Sequence, residues 1–183
     1  RSLARCVAEH GGRVTVALNR RRAPVLVRFK ALVDQVGPVE SIRCDLRRVD
    51  RRDEDFSTTA IHGIDTVRFL AGQDYRRLEI RAARCGADGA GASTHLSGEL
   101  DGGAIVALDA VPRSGMNRER YTVCAAGRTL VADCGMGKAS DGLVEWAGGR
   151  EQRHHVETGG PEQYRVGGFL QQVTVFLDAV RDG

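Results

Sequence analysis

The stretch between Leu78 and Val156 alternates apolar and polar residues in short runs separated by glycine-containing turns. This pattern is typical of β-strands joined by hairpins. It predicts seven strands, at Leu78–Ala83, Ser93–Leu100, Ala104–Val111, Tyr121–Ala126, Thr129–Cys134, Gly142–Trp146 and Gln152–Val156. The predicted turns are Asp88-Gly89, Asp101-Gly102-Gly103, Gly127-Arg128 and Gly148-Gly149. Strands connected in this way form an antiparallel meander, whose apolar face has to be covered by helices.

Helices that could cover this face are predicted before and after the strand region in the sequence. Helices are predicted at residues 2–10, Pro24–Val36, Thr58–Gly72 and Pro161–Val180. The last of them carries an apolar stripe that we interpret as core, formed by Phe169, Leu170, Val173, Phe176, Leu177 and Val180. Two further strands are predicted: Val14–Leu18, buried in a parallel sheet, and Val39–Val49, half solvated or lining a cleft. The predicted class is α/β (α+β), an open and mostly antiparallel sheet with helices on one face.

Composition excludes several classes of protein. A chain of 183 residues with 42% hydrophobic and 28% charged residues suits a soluble globular domain. Its arginines cluster at 20–22 and 47–52, and acidic residues interrupt the second cluster. The chain has neither a continuous basic stripe nor interleaved aromatics for stacking, so no nucleic-acid partner is expected. No apolar run is long enough to span a membrane, and no signal peptide is present, so no membrane association is expected. Five scattered cysteines indicate reduced thiols in a cytoplasmic protein and no metal site.

His62 is the residue of chemical interest in the helix at 58–72. It lies three positions before Asp65, on the same side of the helix and close to the apolar stripe. An imidazole in that position can transfer protons in a cleft. It can equally be a hydrogen-bonded histidine near the core, and the residues alone leave both interpretations open.

A resemblance covers nearly the whole chain. Its motifs, in order, are Val14–Leu18 followed by Asn19-Arg20-Arg21, Leu32–Val39, Ile61-His62-Gly63-Ile64-Asp65 with Phe69-Leu70-Ala71-Gly72, Asp101-Gly102-Gly103-Ala104, Tyr121–Val131 and Phe169–Gly183. In this order they resemble the Gfo/Idh/MocA oxidoreductases. The resemblance implies a C-terminal domain of the glucose-fructose-oxidoreductase-like or dihydrodipicolinate-reductase-like kind. Residues 1–22 would then be the last helix and strand of a Rossmann domain that is mostly absent, and residues 23–183 the substrate domain.

The resemblance also assigns roles on the helix at 58–72. It implies that His62 is the catalytic acid and base. The family places an aspartate four residues before that histidine, whereas this chain has Thr58, which could bind a substrate hydroxyl instead. Asp65 matches a family aspartate that we interpret as structural.

Three further residues are candidates by the same resemblance. Arg20 and Arg48 are predicted to bind substrate, with a solvated position as the alternative for each. Asn19 is predicted to lie beside the nicotinamide of the cofactor, NAD or NADP. The family's Gly-rich phosphate turn and its E-K-P segment do not occur in this chain, so the isolated chain is expected to be inactive.

The implied function is hydride transfer between nicotinamide and a sugar, cyclitol or related hydroxylated small molecule. The alternative is a non-catalytic dimerisation or ligand-binding module derived from the same domain. In either case the resemblance implies a homo-oligomer formed through the open face of the sheet.

Overall fold

A computed structural model describes residues 3–11, 14–51, 57–84, 92–134, 141–158 and 160–182. Its helices are α1 Leu3–His10, α2 Pro24–Val36, α3 Ser57–Ala71, α4 Gln163–Val166 and α5 Phe169–Arg181, with a 3₁₀ turn at Asn19–Arg22. Its strands are β1 Val39–Arg47, β2 Tyr75–Arg84, β3 Ala92–Leu100, β4 Ile105–Val111, β5 Arg118–Ala125, β6 Arg128–Cys134, β7 Gly142–Ala147 and β8 Arg150–His154. None of the described helices combines the length and the hydropathy needed to cross a bilayer.

The strands form one sheet in the order β2-β3-β4-β1-β5-β6-β7-β8. All seven strands predicted after residue 78 are present, and the mostly antiparallel sheet with helices on one face is confirmed. The predicted uninterrupted meander is wrong, because β1 lies between β4 and β5 and runs parallel to β4. Residues 112–117 join β4 to β5 across β1 instead of forming a tight hairpin. The predicted turn Asp88-Gly89 lies outside the described residues.

The core lies between the sheet and the helices α2 and α3. In β1 the side chains of Ile42, Cys44 and Leu46 point inward and are buried, whereas their neighbours face solvent. Helix α3 lies very close to this surface at Gly63. A Cβ atom there would be 2.6 Å from Cδ1 of Leu108 and 2.9 Å from Cδ1 of Leu46, so only glycine permits this approach.

The segment Val14–Leu18 does not form the buried strand that its apolar residues predict. It lies outside the sheet without regular secondary structure, and Val14 and Val16 are 53% and 76% exposed. A strand needs a neighbour to satisfy its backbone hydrogen bonds, and none of the described strands lies beside this segment.

The predicted helix at Pro161–Val180 is broken into α4 and α5 by Gly167 and Gly168. Gly168 has a φ of +79°, and a Cβ atom there would be 2.2 Å from the carbonyl oxygen of Asn19. The apolar stripe of α5 is not core: Phe169 and Val173 are 47% and 54% exposed, and no described residue of α5 is buried. This prediction was wrong because α5 packs on α4 and on the 3₁₀ turn, not on the sheet.

The four described cysteines, Cys6, Cys44, Cys124 and Cys134, are free, as expected for reduced thiols. Burial raises the pKa of the Cys44 and Cys134 thiols well above the ordinary value. Because only the thiolate is reactive, these two residues are inert components of the core.

Candidate active site

Helix α3 presents two stripes to the sheet, one apolar and one polar. Val67 and Leu70 belong to the apolar stripe and are fully buried. Thr59, His62 and Thr66 are spaced by three and four residues, so they lie on one side of the helix and form a polar stripe beside it. Thr59 and Thr66 are buried, and His62 is half-buried.

A buried carboxylate bound by two arginines lies in the same part of the interior. Glu119 is completely buried on the inner side of β5. Its Oε2 accepts a hydrogen bond from Nε of Arg20 at 2.7 Å, and its Oε1 accepts one from Nη2 of Arg20 at 2.9 Å. Nη2 of Arg48 donates a further hydrogen bond to Oε1. We call these three residues the Arg20–Glu119–Arg48 cluster.

The cluster is ionised and carries a net positive charge. Burial by itself raises the pKa of Glu119, but the two arginines outweigh it and hold the pKa below its ordinary value. Burial likewise lowers the pKa of Arg20, and Glu119 more than compensates, so that pKa is raised. Two guanidinium groups and one carboxylate leave a net charge of one positive unit.

His62 responds to this environment as a neutral imidazole. Desolvation lowers its pKa first, and Arg20 and Arg48 lower it further, while Glu119 and Asp65 raise it by less. Its Nδ1 atom is buried and has no hydrogen-bond partner among the described residues. Since an unperturbed histidine has a pKa of about 6.5, a lowered value makes the uncharged form dominant at neutral pH.

The two predicted substrate-binding arginines both act on the charge of His62, and both are buried. Arg20 and Arg48 are 7% and 6% exposed, so the alternative of a solvated position is wrong for both. Their guanidinium groups face Glu119, and direct contact with a substrate stays a prediction. Thr58 is exposed one helical turn before His62, and its predicted role also remains a prediction.

Asn19 anchors the chain at a different point. It is 3% exposed, and its Nδ2 donates a hydrogen bond to the carbonyl oxygen of Gly167 at 2.6 Å. No group of three or more His, Cys, Asp or Glu residues in the described ranges is placed to hold a metal. Contact of Asn19 with a cofactor stays a prediction.

Asp65 holds the 3₁₀ turn against α3. It is 4% exposed, and its Oδ2 accepts a hydrogen bond from Nε of Arg21 at 2.7 Å, with a second bond from Nη2 to Oδ1. The Arg21 guanidinium also lies 5.8 Å from the centre of the Phe69 ring. This bidentate contact fits the interpretation of Asp65 as structural and fixes Arg20, the neighbour of Arg21, over the sheet.

Sequence reasoning missed Glu119. The signal was available, because Glu119, Tyr121, Val123 and Ala125 alternate in one strand and all face inward. The predicted strand began at Tyr121, which left Glu119 in a loop. A charged residue at an inward position of a strand requires a partner, and that requirement points to the arginines.

Comparison with known proteins gives a likeness of structure. No family model matches the sequence, and no curated protein matches it. GenD2 from gentamicin A biosynthesis, solved with NAD, has a TM-score of 0.76 and 20% identity over 99% of this chain and 57% of that chain. A dehydrogenase (MviM) from Clostridium difficile has a TM-score of 0.73 and 19% identity, over 97% of this chain and 57% of that chain. The aldose-aldose oxidoreductase of Caulobacter crescentus has a TM-score of 0.73 and 12% identity, over 96% and 57%.

The chain has the Gfo/Idh/MocA C-terminal fold. The resemblance of the sequence motifs is thereby confirmed as a likeness of fold. The chain spans a little over half the length of these three structures. What it shares with them is the Gfo/Idh/MocA C-terminal fold. The cofactors and substrates of those proteins are properties of those proteins and are not transferred to this chain by the likeness of fold.

Proposed function

We propose that this chain is the substrate domain of an NAD(P)-dependent oxidoreductase acting on a sugar, cyclitol or related hydroxylated small molecule. The observation that carries the proposal is the position of His62. It is half-buried on α3, it lies beside a fixed cationic cluster, and its Nδ1 faces the protein interior. The other ring nitrogen is then the one that can meet a substrate. A solved protein of the same fold binds NAD, which supports a nicotinamide cofactor, NAD or NADP.

A bound nicotinamide would supply the hydride acceptor for oxidation of an alcohol carbon, and His62 would accept the proton of the alcohol hydroxyl. The alcohol becomes a carbonyl, and the reverse reaction returns the proton from the imidazolium. Thr58 would bind a substrate hydroxyl from one turn earlier on α3. Arg20 and Arg48 would act on the reacting oxygen through their charge.

The first prediction tests His62 in the full-length gene product. We expect His62→Ala to lower kcat for alcohol oxidation at least about tenfold, since acid–base groups typically contribute about 10²–10⁴ in rate. The melting temperature should change little, because the side chain makes no hydrogen bond through its buried nitrogen among the described residues. Absorbance of the reduced nicotinamide across a panel of polyols measures the rate.

His95→Ala is the matched control, since His95 lies on the opposite face of the sheet. Its turnover should equal that of the unmodified protein. A large loss of stability in His62→Ala with intact turnover would identify His62 as a structural histidine and would contradict the proposal.

The second candidate function is a non-catalytic module that pairs with a copy of itself. Two observations favour it: position 58 lacks a carboxylate, and the outer face of the sheet exposes large apolar residues. Trp146 of β7 is 41% exposed, and Ile105 of β4 is 66% exposed. We propose that this open face forms a homo-oligomer, whether or not the protein is also an enzyme.

The second prediction concerns that face. Trp146→Glu should shift the protein to monomer in light scattering after gel filtration, because a charge would be buried in the interface. Val27→Glu, a change at an equally exposed apolar residue of α2, should leave the oligomeric state unchanged. If Trp146→Glu associates like the unmodified protein, this face is excluded as the interface of the oligomer. The non-catalytic module would be favoured over the enzyme if the unmodified protein forms an oligomer but oxidises no polyol, and if His62→Ala changes neither property.

A further inference from the structure

Three separate chain segments supply the Arg20–Glu119–Arg48 cluster. Arg20 comes from the 3₁₀ turn, Arg48 directly follows β1, and Glu119 is in β5. Both carboxylate oxygens accept hydrogen bonds from the arginines. Nη1 of Arg48 also donates to the carbonyl oxygens of Arg47 at 2.9 Å and Arg118 at 3.2 Å. Neither guanidinium can turn toward solvent without leaving Glu119 buried and poorly paired.

Helix α3, which carries His62, packs on the 3₁₀ turn, on β1, on β4 and on α2. Arg20 and Arg48 act on His62 from the turn and from the end of β1, Glu119 from β5, and Asp65 from its own helix. Asp65 is already bound by Arg21 in a bidentate pair. The net field at the imidazole is therefore set by the cluster, with two positive groups against one negative group.

We propose that Glu119 is a positioning residue of the His62 site: it fixes Arg20 and Arg48 as a cationic pair on the segments that pack against the helix of His62, in a site where position 58 offers no carboxylate. The inference rests on the proposed role of His62 in proton transfer. Without Glu119, two buried guanidinium groups would repel one another and move apart or toward water. With it, their charge stays at one place in the interior.

This arrangement has a chemical consequence opposite to that of an aspartate–histidine pair. A carboxylate one turn away would stabilise imidazolium, whereas the cluster disfavours it. His62 is then uncharged before reaction and free to accept the hydroxyl proton. As the hydroxyl proton moves to His62, negative charge builds on the substrate oxygen until the hydride leaves the carbon, and a fixed positive cluster in a dry interior would stabilise that charge.

The test is an NMR titration of the His62 imidazole in the full-length protein without substrate. The decisive variant is Glu119→Gln, which removes the only negative charge of the cluster. We expect the titration midpoint of His62 to rise toward that of an ordinary histidine, because the two arginines lose the carboxylate that holds them and move away from the imidazole. A fall would show that both cations stay in place without Glu119, and a fall or an unchanged midpoint would overturn the proposal. Glu145→Gln is the matched control, since Glu145 is a buried carboxylate on β7 bound by Arg128 and His154. The titration midpoint of His62 should not move in this variant.

A second pair of variants keeps the proposal testable if Glu119→Gln does not fold. Arg48→Met removes one cation and leaves Glu119 bound by Arg20, so the midpoint of His62 should rise. Arg48→Lys keeps the charge and should rescue the original midpoint. If His62 has the same titration midpoint in Arg48→Met and in Arg48→Lys, the cluster does not act on His62 and the inference is wrong.

Turnover separates this inference from the proposed function. On the acid side, the pH at which kcat/KM is half-maximal should move in the same direction as the NMR midpoint in each variant. If the midpoints move as expected while His62→Ala has no effect on turnover, the proposed function fails and the positioning role of Glu119 stands. If turnover depends on His62 but the midpoints do not move, only the inference about Glu119 fails.

Discussion

Strand β5 carries charged residues on both of its faces, and their surroundings differ between the two faces. On the inner face Glu119 is completely buried among arginine donors. On the outer face, paired residues of neighbouring strands form a row across the sheet, which we call the outer charge row: Arg81, His95, Asp109, Asp45, Arg120 and Asp133. Its members remain in contact with water, as shown by the 33% exposure of the Asp133 side chain.

Short ion pairs occur on both faces, so their number says nothing about their importance. In water an exposed pair gains little, typically about 0–1 kcal/mol, because solvent already stabilises each charge. In a dry interior the charges depend entirely on one another, and removal of one partner costs about 3–5 kcal/mol. The inner cluster is thus rigid and able to direct the chemistry at His62, whereas the outer charge row mainly keeps the sheet hydrated.

The largest expected effect of a single change is therefore at Glu119. Glu119→Gln should lower the free energy of unfolding by about 3–5 kcal/mol, since it leaves the charges of Arg20 and Arg48 buried without a counter-charge. Urea denaturation followed by circular dichroism measures the loss. Glu145→Gln should cost clearly less, because its partner Arg128 is 49% exposed and can turn to water. Equal losses in the two variants would remove the distinction between the inner cluster and a half-solvated pair.

The pH dependence of stability sharpens the same comparison. The folded-state pKa of Glu119 is below its ordinary value of about 4.3. Its contribution to stability is therefore complete above that ordinary value and is lost as the pH falls through the lower, folded-state pKa. The stability difference between the unmodified protein and Glu119→Gln should stay constant from pH 7 to about pH 5 and shrink at more acidic pH. A difference that shrinks between pH 7 and pH 5 would show that Glu119 has a raised pKa in the folded protein.

The sequence predicted the parts of the fold that depend on local pattern. Alternation placed the strands, and Pro24 and Gly37 bracketed α2 at its observed ends. The position of β1 could not be read in this way. Its pairing with β4 joins Cys44 to Leu108, residues far apart in sequence, and alternation carries no information about such neighbours.

The candidate site was predicted in part, for a related reason. Helical periodicity placed His62 on a helix, and the resemblance drew attention to Arg20 and Arg48. Neither showed what holds these two arginines in place. Starting β5 at Tyr121 and not at Arg118 hid Glu119. The stripe of α5 shows the complementary limit: helical periodicity identifies an apolar face, and only tertiary structure shows whether anything packs on it.

The smallest expected effect is in the outer charge row. Asp133 accepts hydrogen bonds from Arg118 at 3.0 Å and from Arg120 at 2.7 Å, and all three side chains are about one-third exposed. Asp133→Asn should lower the free energy of unfolding by less than about 1 kcal/mol, because water replaces most of what the carboxylate supplies. The loss should shrink further when salt is raised to about 1 M, where screening is nearly complete over about 3 Å. Glu119→Gln measured in parallel should keep its effect at high salt, since ions do not enter the interior. If Asp133→Asn cost as much as Glu119→Gln and resisted salt, Asp133 would have to be buried in the protein in solution, and the interface of the proposed homo-oligomer would extend over the outer charge row.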